Sequence, residues 1–218
     1  IGIQYHMRAE KLKKYYTYHA PIYDLTRWSF LLGRKKSIHT LSKIVPNQKN
    51  LKILEIGCGT GKNLKHLATE YPQAEIYGID LSESMLQKAQ KKCTQQITLI
   101  NAPYKKSTFP GQKFNLIICN YSLSMFDNVP NALSAIEHHL SDDGYLLVTD
   151  FHATPFKLFE KWMAINHVDC NAYLYHLLLK NQDQRWKTLY DKVFSAYGGL
   201  WSYYFLIKQK VKYVVENG

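Results

Sequence analysis

Residues 54–63, LEIGCGTGKN, set three glycines at alternating positions behind an apolar run. Glycine adopts unusual backbone angles at little cost and lets a ligand touch the main chain. Three ligands compete for such a loop. A nucleotide P-loop needs GxxxxGK[ST]; here Ile56 replaces the first glycine and Asn63 the hydroxyl residue, so that reading fails. A dinucleotide fingerprint needs GxGxxG; Gly57 and Gly59 fit, but Lys62 stands in the third position. The order actually present is acid-x-G-x-G-x-G, from Glu55 to Gly61.

The elements that must position this loop follow a regular pattern. LKILEIGCG reads as a buried strand entering a glycine turn, and TGKNLKHLATEY as the helix after it. AEIYGID is a second strand; SESMLQKAQKKC is a helix with Ser82 or Ser84 as its N-cap. ITLINA and FNLIICN are strands, NALSAIEHHL a helix opened near Pro130, and GYLLVTDF a strand launched by the turn SDDG. Alternating strands and helices predict a parallel sheet with helices on both faces. KTLYDKVFSAY, Gly198-Gly199 and LWSYYFLIKQK predict two antiparallel strands around a glycine turn. Residues 8–45 and 155–180 read as helical; Pro21 suits a helix start, and Gly33 can end that helix. The expectation is one domain over 1–218: a helical cap (1–48), a ligand-binding core (49–152), a helical insertion (153–183) and a terminal hairpin (184–212).

The acid-x-G-x-G-x-G order resembles motif I of class I S-adenosylmethionine-dependent methyltransferases. The resemblance implies a Rossmann-like α/β fold with a seven-stranded, mostly parallel sheet and an antiparallel last strand. It also implies S-adenosyl-L-methionine as cofactor, S-adenosyl-L-homocysteine as product, and the amino-acid part of the donor over Gly57, Cys58, Gly59 and Gly61. Cys58 is expected to contribute only its backbone. Asp80, at the end of the second strand with Leu81 beside it, would accept the ribose hydroxyls. Asn101-Ala102 would meet the adenine edge; many relatives carry Asp there, so Asn101 is a departure. Asn120 would lie near the methionine portion. Arg27 could pair with a carboxylate of the cofactor or of the acceptor.

A second resemblance bears on the acceptor. APIYDLTRWSFLLGR, NYSLSMF, TDFH, NHVDC and AYGGLWSYYFLI, spread over residues 18–207, look like the methyltransferase component of betaine-lipid synthesis. That resemblance implies trimethylation of the amine of diacylglycerylhomoserine to diacylglyceryl-N,N,N-trimethylhomoserine. A neutral amine must attack the sulfonium methyl in line, so alignment and a proton acceptor matter most. Aromatic faces suit the cationic stages, and Tyr18, Tyr23, Tyr121 and Tyr197 are the candidates. His167 could take the amine proton or hold the homoserine carboxylate; a purely structural pair with Asp169 fits as well.

Composition narrows the partners. The chain of 218 residues carries a net charge of +11, distributed as +8 over residues 1–50, −1 over 51–150 and +4 over 151–218. Basic flanks around a balanced core suit an anionic partner surface. Residues 16–36 join aromatics to Arg34-Lys35-Lys36, which suits an anionic membrane; a cap helix packed on the sheet explains the pattern equally. The enzyme that makes diacylglycerylhomoserine is a further expected partner. Nucleic acid is not expected, because Asn120-Tyr121-Ser122-Leu123 lacks the prolines of an [DN]PPY-type motif. A soluble small-molecule methyltransferase, quinone-precursor-like, is the alternative.

Four scattered cysteines without a CxxC pair point to reduced thiols, and Cys170 with His167 or His176 lacks a metal-ligand pattern. No apolar run reaches the ~18 residues of a membrane span, and no leader is expected, with residues before Met7 set aside. The expected location is cytoplasmic, peripheral to a membrane. His138-His139 is expected on a solvent-facing helix edge without function.

Overall fold

Seven strands form one sheet in the order β3-β2-β1-β4-β5-β7-β6 in the computed structural model, which describes residues 30–93, 96–165, 170–180 and 185–211. The strands are β1 Lys52–Ile56, β2 Glu75–Asp80, β3 Ile97–Asn101, β4 Phe114–Asn120, β5 Leu140–Phe151, β6 Trp186–Ala196 and β7 Trp201–Lys210. The first five run parallel; β7 is antiparallel to β5 and to β6. The expected α/β sheet with an antiparallel last strand is therefore what the chain builds. Strand order reverses between β1 and β4, and ligands of such sheets settle at that crevice.

The helices are α1 Arg34–Ile44, α2 Lys62–Glu70, α3 Glu83–Gln90, α4 Val129–His139, α5 Lys157–Ile165 and α6 Tyr173–Lys180. Period-two alternation in β1 sends Leu54 and Ile56 to one face and Ile53 to the other. The first face packs on Ala132, Ala135 and Ile136 of α4 and Leu174 and Leu178 of α6. The second packs on Ile38 and Leu41 of α1, Leu64 and Leu67 of α2, and Leu86 of α3. Each fully buried Leu or Ile contributes about 1.5–3 kcal/mol relative to exposure, so two such side chains hold α1 to the sheet. Ser82 caps α3 by accepting from the Met85 amide, and Asn128 caps α4 by accepting from the Asn131 amide.

Three local readings need correction. Gly33 does not end a helix in the described region: it starts α1 in left-handed backbone, φ 77°. Residues 141–144, read as a turn before the fifth strand, lie inside β5, with Asp143 at φ 62° and a register shift against β4. His139 is not solvent-facing. Ala132, Ala135, Ile136 and His139 share one helical stripe, and His139 is buried with them. Its Nδ1 pairs with the Tyr104 hydroxyl at 2.9 Å and its Nε2 with the Lys106 carbonyl at 3.1 Å. One nitrogen accepting and the other donating is the neutral imidazole, and burial holds its pKa below the ordinary value.

A lowered histidine pKa contributes stability that is present above about 6.5 and is lost on acidification, because the unfolded chain takes the proton first. Between pH 7.5 and 5.5 the urea midpoint is expected to fall relative to that of His139→Gln; equal pH slopes in the two proteins contradict the assignment.

Candidate functional site

The glycine loop leaves β1 at the crevice and enters α2. Gly57, Gly59 and Gly61 all have left-handed backbone, with φ of 72°, 52° and 75°. The amides of Gly57 and Cys58 donate to the Ile79 carbonyl at 2.8 and 3.1 Å, and the Gly61 amide donates to the Cys58 carbonyl at 3.1 Å. The reasons for glycine differ along the loop. A Cβ on Gly57 would meet Ser122 Cβ at 2.5 Å, and one on Gly61 would meet Ala89 Cβ at 2.9 Å. Only above Gly59 is there open space. The protein itself crowds the outer glycines, and the middle one faces where a ligand can lie. The Cys58 side chain turns into the core beside Leu64 and burial raises its thiol pKa, so only its backbone serves the loop.

Asp80 holds this loop together. Its Oδ2 accepts from the Gly59 amide and its Oδ1 from the Ser82 amide, each at 2.8 Å. Burial raises its pKa; the Ser82, Gly59 and Leu81 amides pull the other way. Asn101 donates from Nδ2 to the Asp80 carbonyl at 3.1 Å. Leu81 is exposed and Ala102 half-buried beside these groups.

Behind the loop, Glu55 is fully buried. Its Oε1 accepts from Asn63 Nδ2 at 2.7 Å, while its Oε2 lacks a hydrogen-bond partner. Burial pushes its pKa up to about 8, against the opposing pull of Asn63, Arg34 and Asn120. Asn120 is also buried; its side chain lies near enough to the Glu55 carboxyl to lower that pKa, yet neither its Oδ1 nor its Nδ2 meets the geometry of a full hydrogen bond. A buried polar atom without a partner costs about 1–3 kcal/mol. Three such atoms beside an open glycine turn form a cradle for a ligand with both donors and acceptors. The amino-acid end of S-adenosyl-L-methionine is such a ligand, with Asp80 left for hydroxyls. Among the described residues no group of His, Cys, Asp or Glu could hold a metal ion.

A third apolar cluster lies at the carboxyl ends of β4 and β5: Leu31, Tyr121, Phe151, Met163, Cys170, Ala196 and Trp201, with Phe30, Phe159 and Tyr203 against it. Tyr121, next to Asn120, is buried in this cluster at φ 56°. Its hydroxyl donates to the Leu32 carbonyl at 2.8 Å, and its ring meets Phe151 at 4.7 Å. It offers an acceptor a ring and no free hydroxyl. Tyr197 sits on the outer rim, 57% exposed, with its ring 4.9 Å from Trp201. A cavity of about 300 Å³ opens at the same edge, lined by Ser124, Phe126, Asn128, Phe151, Asn171 and Tyr173 among others.

Glu55, the three glycines, Asp80, Leu81, Asn101, Ala102 and Asn120 thus gather at one edge of the sheet, with Tyr121 beside them and Tyr197 at the rim. Tyr18, Tyr23, Arg27, His167 and Asp169 lie outside the described residues. Sequence reasoning missed four contributors. Ser122 donates from Oγ to the Ile56 carbonyl at 2.6 Å and fills the space beside Gly57. Asn63 holds Glu55. Asp150, buried at the end of β5, accepts from the Ser124 amide and hydroxyl at 3.1 and 2.8 Å. Arg34, read as part of a membrane-facing run, instead places its charge where it favours the ionised forms of Glu55 and Tyr121. The motif I resemblance singled out Asp80 at the end of β2; an acid stands near the end of β5 too, at Asp150, where the resemblance offered no landmark.

Comparison with known proteins agrees with this geometry. A family model described as "Methyltransferase domain" matches residues 29–204. A malonyl-[acyl-carrier protein] O-methyltransferase of Priestia megaterium is 33% identical over 141 residues, covering 64% of this chain and 51% of that protein. The chain spans about half the length of the curated relatives it matches. Among solved structures, a Burkholderia thailandensis 1,6-didemethyltoxoflavin-N1-methyltransferase holding its substrate and S-adenosylhomocysteine superposes with a TM-score of 0.69 at 14% identity, covering 95% of this chain and 91% of that one. A plantazolicin methyltransferase bound to S-adenosylhomocysteine gives 0.68 at 16% identity over 97% and 100% of the two chains. At these identities the superpositions speak to the fold.

Two measurements test the cradle. Asp80→Ala is expected to weaken S-adenosyl-L-methionine binding at least tenfold by calorimetry and to destabilise the chain by about 1–3 kcal/mol, because two amides lose their acceptor; an unchanged dissociation constant contradicts the site. Glu55 retains a proton in the folded state that the unfolded chain releases between pH 4.5 and about 8, so its contribution to stability falls as pH rises through that window. Glu55→Gln removes this term. Without cofactor, its stability relative to the parent is expected to rise by about 1 kcal/mol or more from pH 5 to pH 8; a constant difference shows that the carboxyl is not held neutral.

Proposed function

The chain belongs to the methyltransferase-domain family, and from that premise we propose that it is an S-adenosyl-L-methionine-dependent N-methyltransferase of diacylglycerylhomoserine. Three successive transfers would yield diacylglyceryl-N,N,N-trimethylhomoserine and three molecules of S-adenosyl-L-homocysteine. The donor supplies a methyl group on a sulfonium, already a good leaving group. The residues of this chain bind and align. Asp80, Glu55 and Asn120 fit the two polar ends of the donor, and the open face of Gly59 admits it to the main chain.

The observation that carries the lipid reading is the aromatic and apolar character of the acceptor edge. Phe30, Tyr121, Phe151, Trp201 and Tyr203 cluster at the strand ends that bear the cradle. Rings favour a cationic amine and tolerate its growing methyl shell. The neighbouring cavity of about 300 Å³, with Phe126, Phe151 and Tyr173 beside Ser124, Asn128 and Asn171, suits a polar headgroup and is too small for two acyl chains. His167 remains the proposed proton acceptor, with Tyr18 and Tyr23 as further ring faces and Arg27 as a carboxylate partner.

The Priestia megaterium relative favours a second reading, O-methylation of a carboxyl group on a carrier-bound or small acid. Incubation with S-adenosyl-L-methionine and each acceptor in detergent, followed by mass spectrometry, separates the two. Diacylglycerylhomoserine is expected to gain one, two and then three methyl groups. A single methyl gained by a malonyl thioester or a small acid, with the lipid unchanged, replaces the first reading by the second.

A further inference from the structure

Helix α5 follows β5 at the strand carboxyl edge and presents two unlike faces. Met163 is buried and Phe159 packs its ring on Trp201 at 5.5 Å, which anchors the inner face. Glu160 is half-buried on the inner side, close enough to raise the Cys170 thiol pKa. On the outer face Leu158 and Ile165 are 84% and 77% exposed, seven residues apart and so on one line. Phe156, 53% exposed, precedes the helix, and Trp162 lies between the two aliphatic residues, joined at its inner edge to Phe30 and Phe159. Lys157 and Lys161 are exposed along one flank of this row.

We infer that the Phe156, Leu158, Trp162 and Ile165 ridge, with Lys157 and Lys161, is the surface by which the protein docks onto an anionic bilayer. Single exposed apolar residues are ordinary, but an aligned row on an otherwise well-anchored helix is not. An interfacial helix needs such a row, a cationic flank to meet anionic headgroups, and a Trp at the boundary. The ridge is narrow and convex. It is a single row of four apolar side chains, and a few inserted side chains assisted by charge suffice for peripheral binding. The charge of the whole chain, +11, has the matching sign. No helix among the described residues is long and apolar enough to cross a membrane, so this is a surface contact.

Two members of the basic run at residues 34–36 make contacts within the fold. Arg34 donates from Nε to the Leu31 carbonyl at 3.0 Å and acts on Glu55, and the Lys36 ammonium sits 4.8 Å above the Phe194 ring. Docking through α5 would set the strand carboxyl edge, and with it the donor cradle, against the headgroups. The inference rests on the lipid reading for its purpose, and its test is independent of that reading.

The test is co-sedimentation of the full chain with phosphatidylcholine vesicles with and without phosphatidylglycerol, neither containing diacylglycerylhomoserine. The parent is expected to bind the anionic vesicles and to be released by salt. Leu158→Glu/Ile165→Glu is expected to lose about tenfold or more in partitioning, with thermal unfolding and S-adenosyl-L-methionine affinity unchanged. Lys157→Glu/Lys161→Glu is expected to reduce the preference for phosphatidylglycerol. A parent that stays in the supernatant, or a Leu158→Glu/Ile165→Glu variant that binds as the parent does, overturns the proposal. So does binding of a purified acidic acyl carrier protein, or self-association, through these residues in the absence of vesicle binding. Vesicle binding without methylation of the lipid acceptor leaves this inference standing and removes only the substrate assignment.

Discussion

The Asp80 carboxylate joins two backbone segments that would otherwise be independent. One oxygen holds the Gly59 amide of the loop after β1; the other holds the Ser82 amide that opens α3 after β2. A carboxylate with two amide donors is strongly directional, so the loop has a defined path over the end of the sheet. Ser122 adds a second tie from the end of β4 to the Ile56 carbonyl. Three strand ends are thereby drawn to one point, the crevice where strand order reverses. The cradle is a consequence: Glu55 and Asn120 project from β1 and β4, the strands flanking that crevice, and Gly59 lies over it.

The two sides of the site use different physics. The donor side leaves polar atoms of Glu55 and Asn120 unpaired in a buried setting, and a carboxyl whose pKa burial has raised to about 8. Such atoms destabilise the free protein and reward any ligand that pairs with them, which yields selectivity as well as affinity. The neighbouring cluster, the proposed acceptor side, is built of rings. Phe30 stacks on Trp201 at 5.3 Å, Tyr121 meets Phe151 edge-on at 4.7 Å, and Phe159 stacks on Trp201 at 5.5 Å. Rings give area and a cation-favouring face without demanding a fixed hydrogen-bond pattern. The acceptor proposed above would change from primary amine to quaternary cation and lose its donors one by one, and a wall that does not depend on them would suit every stage.

Much of the sheet was legible because its central strands are continuous apolar runs, which only burial on both faces explains. The order of the strands was not legible: nothing local in KTLYDKVFSAY or LWSYYFLIKQK says that β7 lies between β5 and β6. Glu55 and Asp80 were singled out through the motif I resemblance, and the chain brings both to the crevice, where they hold Asn63 and the Gly59 amide. Legibility failed where a residue's role depends on a distant partner. His139 reads as polar by type, yet its place on the Ala132 stripe and the Tyr104 hydroxyl make it interior. Arg34 reads as one charge among three, yet its charge bears on the buried Glu55 carboxyl. Gly57 and Gly61 read as ligand contacts, yet Ser122 and Ala89 are what exclude their side chains.

That last difference changes what the glycine motif means. If every glycine faced the ligand, the loop would record the ligand's outline. Here two of the three record the closeness of the end of β4 and of α3 to the loop, and one leaves an open face. The motif is therefore mostly a statement about how tightly the chain converges at the crevice. Convergence is what buries Glu55 and leaves Asn120 without partners, so the glycines act on the donor through those side chains as much as through the backbone they expose. A chain with the same glycines but a larger residue in place of Ala89 would keep the motif and lose the geometry. The shape of the crevice is thus written jointly in the loop and in α3, two segments that no contiguous motif connects.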